Sequence, residues 1–230
     1  MTHQLRSNTM KNYWTMVSFF TIRQIAYLGL VTALFSSPLQ AQTSTTTKLW
    51  TEADRQYTVD NLKRTRDLII QETENLSPEQ WRFKESPDRW SIGEIVEHLA
   101  LWEIIWAREV SMGSRSKPQP ELNRTSKPDQ YYADWIMEDT PHVSPDFSRP
   151  TGFIEGKNNL LFFLKLRNQT ISFVEKTQAD MRAQFELTGT DSPRNMHQVY
   201  IFQWGHVDRH LRQIRKVKAH TNYPKETAGK

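Results

Sequence analysis

The stretch SPRNMHQVYIFQWGHVDRHLRQIRKVKAH, residues 192–220, decides the fold. Met196, Val199, Tyr200, Gln203, Val207, Leu211, Ile214 and Val217 recur three and four residues apart, the spacing of one helical face. Ser192 is a capping residue and Pro193 suits a first helical position, so a long helix is expected from there to about His220. His206 and His210 interleave with this apolar line. Being four residues apart, they point the same way, with about 6 Å of rise between them. They face the interior, where a polar ring needs a partner.

Three further helices read in the same way. From Leu49 to about Asn75, Ala53, Tyr57, Leu62, Leu68 and Ile69 form a broad apolar stripe among charges. Leu76-Ser77-Pro78-Glu79 then reads as a stop followed by a single helical turn. Ser91 and Glu94 have the spacing of a capping box and open a second helix, to about Met112, along Ile92, Ile95, Val96, Leu99, Trp102, Ile105 and Trp106. A third runs from about Gly156 to Ala179, with Leu160, Leu161, Leu164, Ile171 and Val174 inward. Between the second and third lies a long polar link, 113–156, carrying Pro118, Pro120, Pro128, Pro141, Pro145 and Pro150, with a short helix at Tyr131–Met137. No strand pattern competes. The expected fold is all-α: a four-helix bundle over 49–220, with a long crossover between its second and third helices. The first and third links are short enough for antiparallel neighbours. The crossover makes helices two and three run the same way, and two and four run opposite ways. A disordered tail is expected over 221–230.

Residues 1–41 are different in kind. Arg6, Lys11 and Arg23 precede an apolar run of eleven, Ile25–Phe35, which Ser36-Ser37-Pro38 breaks before a small residue at Ala41. This is the layout of a secretory signal peptide, so the chain is expected to be exported, periplasmic or secreted. The alternative is a membrane anchor formed by an uncleaved signal, but the run is short of the roughly 20 apolar residues a span needs. Gln42 to Lys48 reads as a flexible linker.

The charge balance bears on partners. The whole chain has 30 Lys+Arg and 26 Asp+Glu, hence +4. Three of the basic residues and none of the acids lie in 1–41, leaving 27 against 26, or +1. No basic stripe of the kind that tracks nucleic acid remains. The expected partner is a small-molecule substrate, with no nucleic acid and no stable membrane span after cleavage; a homodimer stays open. There is no cysteine, so stability rests on packing and any metal must be held by His, Asp, Glu or water.

His98 shares the inward side of the second helix with Ile95, Leu99, Trp102 and Ile105. If helices two and four are antiparallel, His98 meets His206 and His210 to within a turn or two. Three neutral imidazoles in a bundle core suit a borderline divalent metal. Three protein ligands leave a position open, as catalytic zinc sites do. His197, nine residues before His206, falls on the other face. His3, His142 and His220 lie in the leader, the long link and the helix end.

The segment Trp90-Ser91-Ile92-Gly93-Glu94-Ile95-Val96-Glu97-His98-Leu99 resembles the helix-two signature of the DinB/YfiT-like metalloprotein superfamily. Gly205-His206-Val207-Asp208-Arg209-His210-Leu211-Arg212-Gln213-Ile214 is similar to its H-x-x-x-H-x-x-Q-I signature on helix four. The resemblance covers about 50–220. It implies a four-helix bundle with a long crossover and one divalent metal ion on His98, His206 and His210: zinc first, with nickel, manganese or iron as alternatives. It also implies a metal-dependent enzyme, either a hydrolase or a thiol S-transferase. For hydrolysis, Glu94 is the acid/base candidate, one turn before His98. Trp102 is a candidate pocket wall, and Tyr200, Gln203 and Gln213 are candidates to orient ligand or substrate. A non-catalytic exported binding protein is the remaining alternative.

Overall fold

The computed structural model describes residues 47–187 and 192–225. The expected signal segment and residues 42–46 of the linker lie outside the described residues. The elements are α1 (Glu52–Thr73), α2 (Pro78–Arg82), α3 (Ile92–Gly113), α4 (Asp129–Met137), α5 (Lys157–Lys176) and α6 (Met196–Lys218). Among the described residues there is no β-sheet, only an isolated antiparallel bridge between Phe185 and Asn195. The long helices α1, α3, α5 and α6 form a four-helix bundle, with α4 laid on α6. No described helix is long and apolar enough to cross a membrane.

Local chemistry sets where the helices begin. Thr51 with Asp54, Ser77 with Gln80, Ser91 with Glu94 and Asn195 with Gln198 each close a reciprocal capping box. Such caps contribute on the order of 1 kcal/mol each. The last of these corrects the expected start of the fourth long helix. Asn195, not Ser192, is its cap, because the chain just before α6 runs extended against residues 184–186. Glu186 N–H donates to Arg194 O at 3.0 Å, Met196 N–H to Gln184 O at 2.8 Å, and His197 N–H to Met181 O at 3.0 Å. The Gln184 and Met181 carbonyls take helix-end donors that a start at Pro193 would have turned away from them.

Side-chain pairs give the directions of the helices. Glu103 meets Gln203, and Gly113 lies against Met196, so α3 and α6 are antiparallel. Gly93 faces Asn159 while Glu103 faces Arg167, so α3 and α5 run the same way. Both directions match the sequence reading. The neighbours are another matter. α1 packs on α5 and α6, and α3 packs on α5 and α6. The pairs joined by the shorter links, α1 with α3 and α5 with α6, are therefore diagonal rather than adjacent, although each pair is antiparallel. A short link fixes direction more tightly than contact, because the α2 turn at Pro78–Arg82 lets the chain step across the bundle.

The core forms two apolar groups. One is built around Leu62, Val174, Met196 and Val199, the other around Ile69, Ile95, Phe163, Leu211 and Ile214. Leu161 and Tyr57, expected inward, are exposed. Each sits at the edge of its helix's apolar arc, where a small rotation decides burial. The C-terminal end is also corrected in part. Tyr223 packs edge-on against Phe83 at 5.4 Å, and Gln80 Nε2 donates to Pro224 O at 2.9 Å, so residues up to 224 are held; residues 226–230 lie outside the described residues.

Candidate metal centre

The antiparallel packing of α3 and α6 brings His98, His206 and His210 together. One ligand nitrogen from each can be chosen so that all lie within 4.8 Å of one another. His206 Nε2 is 3.3 Å from His98 Nε2 and 3.1 Å from His210 Nε2. The rings are nearly buried, at 3% exposure for His98, 9% for His206 and 8% for His210.

Hydrogen bonds behind the rings assign their protons. His98 Nδ1 meets the Ser148 carbonyl at 2.6 Å, and His210 Nδ1 meets Gln213 Oε1 at 2.9 Å. Both oxygens only accept, so each ring carries its proton on Nδ1 and turns an unprotonated Nε2 toward the other histidines. A proton on His206 Nε2 could serve one of these lone pairs, not both. His206 Nδ1 is buried with no partner, so the ring has no internal solution. Burial also keeps the rings uncharged. It pulls the pKa of His98 down to about 4 against the opposing Ser148 bond, and that of His210 down to about 3, where the His98 ring and Arg209 add to burial and the Gln213 bond opposes it. His206 is held well below the usual histidine range by burial and then by the other two rings. Neutral imidazoles with converging lone pairs and no shared donor are the donor set a divalent cation completes. The residues fit a metal.

The histidines form part of the wall of a cleft of about 1060 Å³. Trp90 lies 4.8 Å from His98, ring centre to ring centre, and Trp102 lies 5.7 Å from His206. Trp106 continues this wall along α3, 4.8 Å from Trp102. Farther along, Glu109, Glu186 and Arg194 line the same cleft. Arg194 clamps the Glu186 carboxylate at 2.9 and 2.6 Å. The Glu109 carboxyl is pushed up to about 7 by burial and by the charge of Glu186, with which it also hydrogen-bonds; Arg194 opposes this.

The other residues singled out in the sequence divide. Trp102 lines the cleft, and Gln213 Oε1 accepts from His210 Nδ1. Glu94 is not in the cleft lining. Its carboxylate accepts from the Ser91 backbone at 2.7 Å and from Lys84 at 2.7 Å, so it is consumed by the cap and a surface ion pair. Gln203 donates to Glu103 at 2.9 Å inside the bundle, and Tyr200 is buried beside that group; neither lines the metal cleft. His197 lies outside the centre as expected, but it is buried. Trp50 Nε1 donates to its Nδ1 at 3.2 Å, which leaves the proton on Nε2 facing Asp129. Ser148 and Trp90 were not singled out. Ser148 acts through a backbone carbonyl, which no side-chain pattern reveals. Trp90, just ahead of the Ser91 cap, is an aromatic about two turns before a candidate ligand, the signal that could have found it.

The fold has a solved counterpart. YfiT from Bacillus subtilis, described as a probable metal-dependent hydrolase with an unusual four-helix bundle topology, aligns with a TM-score of 0.50 at 11% identity, covering 76% of this chain and 91% of that one. No protein of curated function matches the sequence. The sequence profile of the DinB superfamily matches residues 61–214, which include all three histidines and both signature segments. With most of the bundle inside that match, the chain belongs to the DinB superfamily.

Proposed function

We propose that this protein is a metal-dependent enzyme acting on a small molecule, most simply as a hydrolase, with one divalent ion, zinc first, on His98, His206 and His210. The observation that carries the reading is the convergence of two proton-free Nε2 atoms on a third ring at the wall of a cleft large enough for a substrate. Three ligands leave room in the shell of a divalent ion for a reacting group. The ion supplies Lewis acidity there and makes an attacking water or thiol easier to deprotonate. The chain's own residues hold and shield. Ser148 O and Gln213 Oε1 fix two of the rings. Trp90, Trp102 and Trp106 present aromatic surface to the substrate and exclude water from that wall. Glu94 is no longer a candidate base.

Residues 1–41 support export, and an exported protein is separated from the low-molecular-weight thiols of the cytosol. That favours hydrolysis over thiol S-transfer. The near-neutral charge of residues 42–230 supports a small-molecule substrate rather than nucleic acid. The test is a panel of ester, amide, phosphoester and electrophilic substrates, assayed on zinc-loaded protein with and without added thiols. Turnover that needs metal and not thiol is the expected result. Strictly thiol-dependent turnover would replace hydrolysis with S-transfer, and metal binding without turnover on either arm would favour a binding protein.

A further inference from the structure

Glu97 precedes His98 on α3, and consecutive helical residues point about 100° apart. The Glu97 side chain contributes nothing to the histidine cluster. It is 3% exposed, and both its oxygens are taken by the crossover. Oε1 accepts the Thr151 backbone N–H at 3.0 Å and the Thr151 hydroxyl at 2.7 Å, and Oε2 accepts the Gly152 N–H at 2.9 Å. Gly152 has a φ of 70°, a conformation that favours glycine and lets its N–H turn toward the carboxylate. Three residues before Thr151, the Ser148 carbonyl accepts the His98 Nδ1–H hydrogen bond. Adjacent residues of one helix thus grip one short segment of the crossover, 148–152. A carboxylate is expensive to bury without donors, and here three are supplied from a single turn.

We infer that Glu97 is a positioning residue for the metal centre: by anchoring Thr151 and Gly152 it holds the Ser148 carbonyl where it orients His98. The inference rests on the three-histidine reading. It gives the crossover a defined task, since the segment that closes over α3 also selects the tautomer and ring angle of a ligand. Without the anchor, Ser148 moves with the loop, and His98 loses the bond that keeps its Nε2 turned inward.

Glu97→Gln tests this with little change of shape. One acceptor oxygen becomes an NH2 group facing an N–H or hydroxyl donor, so at least one of the three bonds is lost. Metal-free wild type, Glu97→Gln and Thr151→Val are titrated with cobalt(II) at 25 °C, following its visible absorption, with helicity monitored in parallel. Outer groups around a metal typically change its affinity by about 10- to 100-fold. Glu97→Gln is expected to bind cobalt roughly tenfold more weakly, with a shifted spectrum and unchanged helicity, and Thr151→Val by a smaller factor. If Glu97→Gln fails to fold, Thr151→Val, which removes the hydroxyl's bond to Glu97 and the one it accepts from Phe153 N–H, carries the test. Wild-type affinity and spectrum in the folded variants, even with a lowered melting temperature, would reduce Glu97 to a structural role. Failure of the wild type itself to bind cobalt would sink the three-histidine reading, a distinguishable outcome.

Discussion

Five residues of α3, about 7.5 Å of rise, separate His98 from Glu103. Each meets partners from α6, yet the two buried polar groups are completed differently. Around Glu103, charge is matched within the protein. Arg167 donates to its Oε1 at 2.5 Å, and Thr170 and Gln203 donate to its Oε2 at 3.2 and 2.9 Å. Arg167 also donates to the Thr65 hydroxyl at 2.9 Å. Both ionic side chains are at most 1% exposed. Around His98, Nδ1 of His98 and Nδ1 of His210 are satisfied, Nδ1 of His206 has no partner, and the inward nitrogens converge without enough protons to pair them. One cluster is closed and structural; the other asks for a cation and lies on a cleft. Burial of polar residues does not by itself separate the two. Charge pairing does: around Glu103 an anion meets its cation, although Arg167 Nε and Gln203 Oε1 have no hydrogen-bond partner, whereas around His98 uncharged rings turn lone pairs on one another.

The largest effect of a single substitution is expected at the closed cluster. Arg167→Ala leaves a buried carboxylate without its cation and is expected to lower the unfolding free energy by about 3–5 kcal/mol, measured by urea denaturation of the metal-free protein. His206→Ala, at the cleft wall, is expected to lose only roughly 1 kcal/mol under the same conditions. Equal losses would erase the distinction. Pairing Arg167→Met with Glu103→Leu should recover most of the loss, because no buried charge is then stranded.

A smaller effect tests a third polar group, where Arg182 bridges Asp54 and Asp129 at 2.8 and 2.9 Å. Burial raises the Asp54 carboxyl, but hydrogen bonds from Arg182 and Thr51 outweigh it and hold it down at about 2, against an ordinary 3.8. Asp129 is held far below the carboxylate range, where burial is outweighed by His197, Arg182 and Gln198. A depressed carboxyl stabilises the fold above its unfolded value and loses that contribution as pH falls toward its folded value. Unfolding free energy should therefore fall as pH drops from about 5 through about 2. These side chains are partly exposed, 19% for Asp54, 25% for Arg182 and 37% for Asp129, so about 1 kcal/mol of that fall should disappear in Arg182→Gln. An unchanged pH slope in the variant would show that the bridge contributes nothing.

Much of this was legible in the sequence, for reasons that also explain what was not. His206 and His210 stood out because four-residue spacing on an apolar stripe fixes both direction and burial, and Gln213, three residues after His210, falls beside it. Gln203 and Tyr200 lie on the same stripe but reach the closed cluster, because one arc of α6 faces two neighbours, α1 and α3, and periodicity does not say which. Glu94 satisfied two patterns at once, capping box and metal-proximal acid, and the cap takes the carboxylate. Glu97 and Ser148 were hidden by the crossover, whose path no periodicity sets. The diagonal placement of α1 and α3 was hidden for a similar reason: link length constrains direction better than neighbours.

The central claim is the three-histidine metal centre. The direct measurement is metal content by mass spectrometry after zinc loading and desalting, for the wild type and for His206→Ala. One equivalent of zinc per chain in the wild type, falling below about a tenth in the variant, is the predicted result; the expectation is that removing the central ligand of three weakens the site by well over 100-fold. Equal stoichiometry in both proteins, or none in either, would contradict it.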